Sequence, residues 1–259
     1  MTPETLFNIA AFAYGLCIGS FLNVCIHRLP AAMSIVRPRS RCPVCGQSIR
    51  WYDNIPVLSW LWLRRKCRDC ATPIPWRYPL VELLSGVFAV ITIARFGPGP
   101  ASLVYFCFIA ALLVITFIDL DHQIIPNAIT LPGIPLCFLG ALVVPAMTWQ
   151  DALMGLAVGG GGLYLVGWAY YLLKGKEGMG GGDIKLLAMI GALTGLRGVV
   201  FTLFVASATG TVAGLVQMAA ARLVDMERRI PFGPFLAFGA VIYLFYGREL
   251  ILWYLRLLS

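Results

Sequence analysis

The chain has 259 residues, 59% of them hydrophobic and only 12% charged, with a formal net charge of +8. A mean hydropathy of +0.83 excludes an ordinary soluble domain, and the basic residues sit in loops between apolar runs, which argues against a nucleic-acid-binding face. The fold class that remains is an all-α polytopic membrane protein with about eight apolar runs near bilayer-crossing length.

Those runs lie at roughly 6–27, 79–96, 101–119, 128–147, 152–173, 184–195, 198–221 and 233–257. The sixth is short and reads as a half-helix starting at a glycine loop. The first ends in His27-Arg28 without a small-residue cleavage site, so it reads as an anchor and not a signal peptide. No internal repeat is visible. About half of the Lys and Arg residues fall between Arg28 and Arg77, and most of the others in loops 174–185 and 222–229. If these loops share a side with the 120–128 turn, the opposite side holds only Arg95, Arg197, Arg248 and Arg256. The positive-inside bias then makes those loops cytoplasmic and puts both termini outside.

In chain order, the first span closes with Gly19-Ser20 and with Asn23 and His27 one helical turn apart. Small residues allow close helix packing, and the polar pair suits interhelical hydrogen bonding, with a catalytic His27 as the alternative. Residues 28–78 are the only sizeable soluble piece. They carry Cys42-Pro-Val-Cys45 and Cys67-Arg-Asp-Cys70, the spacing of a four-thiolate zinc site or, alternatively, of two disulfides. A reducing cytoplasm favours a structural metal that holds together a segment too small for its own core. Cys17, Cys25, Cys107 and Cys137 lie in spans and read as small core residues. Between the cysteine pairs, Trp51 to Trp62 is aromatic and apolar, a surface for lying on the membrane or covering an active site. Glu82 follows at the cytoplasmic end of the second span, either as an interfacial carboxylate paired with Arg77 or as a receiver of positively charged substrate.

The third span ends in Asp119, with Asp121 and His122 beyond it and Pro126 restarting the chain. Asp119 is nearest the membrane, and Asp121 is better placed for solvent. Further on, Gly180-Gly181-Gly182-Asp183 brings a second carboxylate to the membrane edge, and the glycines are read as permitting positive φ and close backbone packing. Two carboxylates in a partly dry site do not both ionise easily, so they share a proton. The ionised member can take a proton from water while the protonated member donates to a substrate carbonyl. No Ser-His, Cys-His or His-Glu-x-x-His constellation competes. Ile230-Pro231-Phe232-Gly233-Pro234 resists regular helix and reads either as a helix start or as part of a substrate cleft, formed by Pro231, Phe232, Gly233 and Pro234.

The chain resembles the prepilin peptidases, or type IV leader peptidases, of the Gly-x-Gly-Asp intramembrane aspartyl protease class. The resemblance rests on Gly19-Ser-Phe-Leu-Asn-Val, His27-Arg-Leu-Pro, the two Cys-x-x-Cys pairs, Asn54-Ile-Pro, Arg77-Tyr-Pro-Leu-Val-Glu82, Ile118-Asp-Leu-Asp-His-Gln, the run from Gly175 to Leu187, and Ile230 to Pro234. It implies a catalytic pair Asp119 and Asp183, with Gly180, Gly182 and Lys185 supporting the second. It further implies leader cleavage from prepilins or pseudopilins at the cytoplasmic face of a bacterial inner membrane. In many members a methylation of the new amino terminus by S-adenosylmethionine follows. One departure is Arg64-Arg65-Lys66, standing where members often carry glycine before the third cysteine. The division expected is a first span at 1–27, a zinc-binding loop at 28–78 and a protease core at 79–259. The partners implied are pilin substrates and membrane lipid, with no nucleic acid. A peptidase without methyltransferase activity, a proton-coupled transporter using the same aspartates, and a noncatalytic scaffold remain as alternatives.

Overall fold

A computed structural model describes residues 3–145, 147–176, 180–220 and 230–258. Glu177, Gly178 and Met179 of the glycine loop, and the basic residues of 221–229, lie outside the described residues. The described residues are helical, apart from two isolated β-bridges and the connecting segments. The chain forms two compact units, Met1–Val114 and Ile115–Ser259.

In the first unit, α1 (Pro3–Arg28) packs along α3 (Arg77–Phe96). The seam is set by Gly15 and Gly19, one turn apart. A Cβ at Gly15 would stand 2.7 Å from the Gly86 Cα, and one at Gly19 would stand 2.5 Å from the Glu82 Cα. Without a hydrophobic drive between helices in lipid, such backbone proximity is what gives dispersion its contact area. Between the two helices, the soluble segment holds a 3₁₀ turn (Trp51–Asn54) and a short helix α2 (Leu58–Trp62). Trp51 and Trp62 are strongly exposed, as an interfacial aromatic surface requires. The unit boundary falls inside α4 (Pro100–His122).

The second unit contains α5 (Asn127–Ala141), α6 (Trp149–Leu156), a π-helical turn (Ala157–Gly162), α7 (Leu163–Lys174), α8 (Gly181–Ala220) and α9 (Gly233–Leu258). Among the described residues, the eight apolar runs appear as six helices long and apolar enough to cross a membrane, together with one shorter apolar helix. There are two physical reasons. The fourth run stays helical only over α5, about 22 Å at ~1.5 Å per residue, and then passes into tight turns ahead of Pro145. The sixth and seventh runs are carried in α8, which breaks at Gly195 (φ 69°, ψ −175°), a conformation that is essentially glycine's alone. The break separates 181–194 from 196–220. Gly155 of α6 and Gly191 of α8 meet backbone to backbone, and a Cβ at Gly159 in the π turn would stand 2.6 Å from the Leu187 carbonyl oxygen. Glycines therefore bring α6 and the π turn directly against the helix that carries Asp183.

Candidate active site

Asp119 ends the apolar stretch of α4 and is only 5% exposed, whereas Asp121, half a turn later, is exposed. The Asp119 Oδ2 accepts a hydrogen bond from the Gly233 amide at 3.0 Å. Gly233 is the first residue of α9. The first amides of a helix have no intrahelical acceptor and carry the positive end of its dipole, so α9 starts on the Asp119 carboxylate. Gly233 is needed there for space. A Cβ would stand 2.6 Å from Asp119 Oδ2 and 3.2 Å from Ile125 Cδ1, while the backbone itself is not in the left-handed region.

Asp183 lies in the first turn of α8, with its amide donating to the Gly180 carbonyl at 3.1 Å. The two carboxylates are near enough to feel each other's charge. Ile125, in the turn between α4 and α5, helps hold the two sides in register. A Cβ at Gly182 would stand 2.9 Å from its Cβ, and its Cδ1 also meets Gly233. The expectation that the glycines before Asp183 serve positive φ is corrected at Gly181 and Gly182, neither of which adopts it. The left-handed glycine of this region is Gly175 (φ 64°), the C-cap of α7. Gly182 serves close approach. Lys185 Nζ donates to Asn127 Oδ1 at 2.8 Å, tying α8 to the start of α5. The Phe232 carbonyl accepts from the amides of Phe235 and Leu236, so the Pro231–Pro234 stretch starts a helix and also abuts Asp119. A groove lined by Asp121, His122, Gln123, Gln217, Ile230 and Pro231 opens one residue beyond Asp119. Ile125 and Asn127 escaped the sequence reading. Their one signal was an apolar pair, Ile124-Ile125, inside an otherwise polar turn.

The sulfur atoms of Cys42, Cys45, Cys67 and Cys70 all lie within 4.8 Å of one another, and no disulfide joins them. Cys42 and Cys70 are 3.7 Å apart, close to the edge of ~3.8 Å that a tetrahedral zinc with ~2.3 Å bonds to sulfur requires. The donor set therefore fits a thiophilic metal. The two knuckles repeat one hydrogen-bonding pattern. Cys42 donates to Gln47 and Gly46 to Cys42, just as Cys67 donates to Thr72 and Ala71 to Cys67. Each knuckle is closed by one bridge, Arg41–Ser48 or Lys66–Pro73. Gly46 takes φ 73°, and Ala71 takes the same turn at φ 55° without glycine's freedom. Hydrogen bonds with the Thr72 side chain and backbone draw the Cys70 thiol down to about 6. Arg68 pairs with Asp53 and holds its carboxyl below the usual carboxylate range.

In the first unit, Asn23 donates to the Tyr78 carbonyl at 3.0 Å, the interhelical bond its position suggested, and His27 is exposed. Glu82 is buried, at 8% exposure, and its Oε2 accepts the Val57 amide at 2.7 Å instead of pairing with a guanidinium. Val57 has φ 62°, costly for a β-branched residue.

Comparison with known proteins adds the decisive observation. Residues 13–96 match the family model for the bacterial Peptidase A24 N-terminal domain, and residues 106–215 match that for the type IV leader peptidase family. A prepilin leader peptidase/N-methyltransferase of Aeromonas hydrophila is 38% identical over 98% of this chain and 95% of its own length. The chain belongs to the type IV leader peptidase family. A protein of the same name from Xanthomonas campestris pv. campestris is 40% identical over 95% of this chain and 94% of its own length. Another from Myxococcus xanthus is 43% identical over 83% of this chain and 64% of its own length. No solved structure matches. Six long apolar helices together with these relatives make it a multi-pass membrane protein.

Proposed function

We propose that this chain is a prepilin leader peptidase and N-methyltransferase in which Asp119 and Asp183 perform the hydrolysis. The observation that carries this reading is the Gly233 amide, at the start of α9, on Asp119 in the last turn of α4, with Asp183 in electrostatic reach in the first turn of α8. One ionised carboxylate takes a proton from water as the water oxygen bonds to the scissile carbonyl carbon. The protonated partner gives its proton to the carbonyl oxygen. In the second step the newly protonated aspartate gives its proton to the amide nitrogen, the C–N bond breaks, and the ionised aspartate takes the proton of a gem-diol hydroxyl as the new carboxylic acid forms, so the pair again holds one proton. The titration belongs to the pair, and neither residue is a permanent base.

The relatives' names support a prepilin carrying a leader as the substrate class, and the proposal extends to pseudopilins with a short basic leader. The active site faces the cytoplasm of a bacterial inner membrane. Gly180, Gly182 and Lys185 support Asp183, and Pro231, Phe232, Gly233 and Pro234 border the substrate. Cys42, Cys45, Cys67 and Cys70 hold a structural zinc that orders the 28–78 loop. S-adenosylmethionine, when bound, supplies an electrophilic methyl group to the new amine.

The test is cleavage of a co-expressed prepilin, read by mass spectrometry of its amino terminus. Asp119→Asn and Asp183→Asn should each lower cleavage at least ~100-fold with the protein still in the membrane, because an amide cannot exchange the proton. Asp121→Asn should stay near wild type. An inactive Asp121→Asn beside a working Asp119→Asn would assign the chemistry to the wrong carboxylate.

A further inference from the structure

A cavity of about 540 Å³ lies wholly within the first unit, between α1, α3 and the cysteine knuckles. Small-molecule sites fall at ~300–1,000 Å³, so it has the capacity for a cofactor-sized guest. The peptidase chemistry leaves it unused. At its helical end it is lined by Ser20, Asn23 and Glu82, in its middle by Trp60 and Tyr78, and at its knuckle end by Arg41.

Glu82 is the informative member. It is more than nine-tenths buried and accepts a hydrogen bond from the Val57 amide, with Ser20 in the same lining. Among the described residues, however, no cation is paired with it: of the guanidiniums that share the lining, Arg28 is taken up by the Ser34 and Pro38 carbonyls and Arg68 by Asp53. Buried carboxylates are normally matched by a positive charge. The protein also spends backbone strain on this group, since Val57 is held at φ 62° with its amide on Glu82. Trp60 is fixed beside the cavity by its Nε1 donating to the Ile74 carbonyl at 3.2 Å and by Arg65 lying 5.5 Å over its ring.

We infer that this cavity is the binding site for a sulfonium methyl donor of the S-adenosyl type, with Glu82 supplying the negative charge opposite the sulfonium. This rests on the N-methyltransferase reading. The guest's chemistry matches the lining. A sulfonium needs a carboxylate, a purine needs an aromatic neighbour such as Trp60 or Tyr78, and a carboxylate tail needs a cation such as Arg41.

The experiment is ultraviolet cross-linking of radiolabelled S-adenosylmethionine to the purified full chain in nanodiscs, mapped by peptide mass spectrometry. It is paired with binding isotherms for S-adenosylmethionine and for its neutral product, S-adenosylhomocysteine. Label should fall on peptides between Arg50 and Glu82. Glu82→Gln should weaken the cationic donor at least tenfold and the neutral thioether by less than threefold, because only the donor carries the charge. Trp60→Ala should weaken both. Label on peptides of 115–259, or equal affinities in wild type and Glu82→Gln, overturns the site while the methyltransferase reading stands. So does displacement of the label by a mature pilin amino terminus that competes for Glu82. Absence of both binding and methyl transfer in wild type overturns the reading itself. If Glu82→Gln fails to fold, the wild-type cross-link still decides the location.

Discussion

At position 233 one added carbon would stand 2.6 Å from the Asp119 carboxylate, well inside van der Waals contact. Asp119 is buried and Ile125 blocks the other side, so neither neighbour can yield without moving the carboxylate oxygen proposed to react. Gly233→Ala should therefore lower leader cleavage about 100-fold, the scale of an ångström's misplacement of a catalytic group. Helix content should be unchanged, because alanine is a better helix residue than glycine. The measurement is the cleavage rate of detergent-purified enzyme beside its far-ultraviolet circular dichroism. Wild-type cleavage by Gly233→Ala would remove the Gly233–Asp119 contact from the mechanism.

The knuckle is the element with the least core of its own. It is held by four clustered cysteine sulfurs, two matching turns and the Arg68–Asp53 pair. Metal binding in so small a segment is itself folding free energy. Purified protein should contain about one zinc per chain, as a single four-thiolate site requires. The double substitution Cys42→Ser and Cys45→Ser should release it and open residues 28–78 to proteolysis. Elemental analysis of intact protein with no metal and four freely reactive thiols would end the zinc reading. Along α8 the governing feature is the break at Gly195. A helix of 40 residues spans about 60 Å, twice the hydrocarbon thickness of ~30 Å, and the break divides it into separate segments.

For the whole molecule, the distribution of Lys and Arg predicts an orientation that can be read with reporter fusions. Alkaline phosphatase, which matures only outside the cytoplasm, should be active when fused after Ser259 and inactive when fused after Lys176. The reverse pattern would invert the topology and place the aspartates on the wrong face for a leader that has not crossed the membrane.

The sequence by itself determined the class, the two carboxylates at the ends of apolar runs and the four-cysteine cluster, because each is written in a local signal. Long apolar runs can be satisfied only as helices in lipid, Asp119 and Asp183 interrupt such runs, and two Cys-x-x-Cys pairs define a tetrahedral donor set at fixed spacing. It did not determine what surrounds them. That Ile125 wedges between Gly182 and Gly233, that Gly233 donates to Asp119 across 114 positions, and that Glu82 holds Val57 and not Arg77 all depend on which helices lie together. Nor could periodicity show that the fourth apolar run would end its helix at Ala141, or that the sixth and seventh would meet at an extended glycine. Hydropathy records how much a segment prefers lipid, whereas a helix's end and its neighbours are set by backbone hydrogen bonds and close contacts that only the tertiary structure supplies.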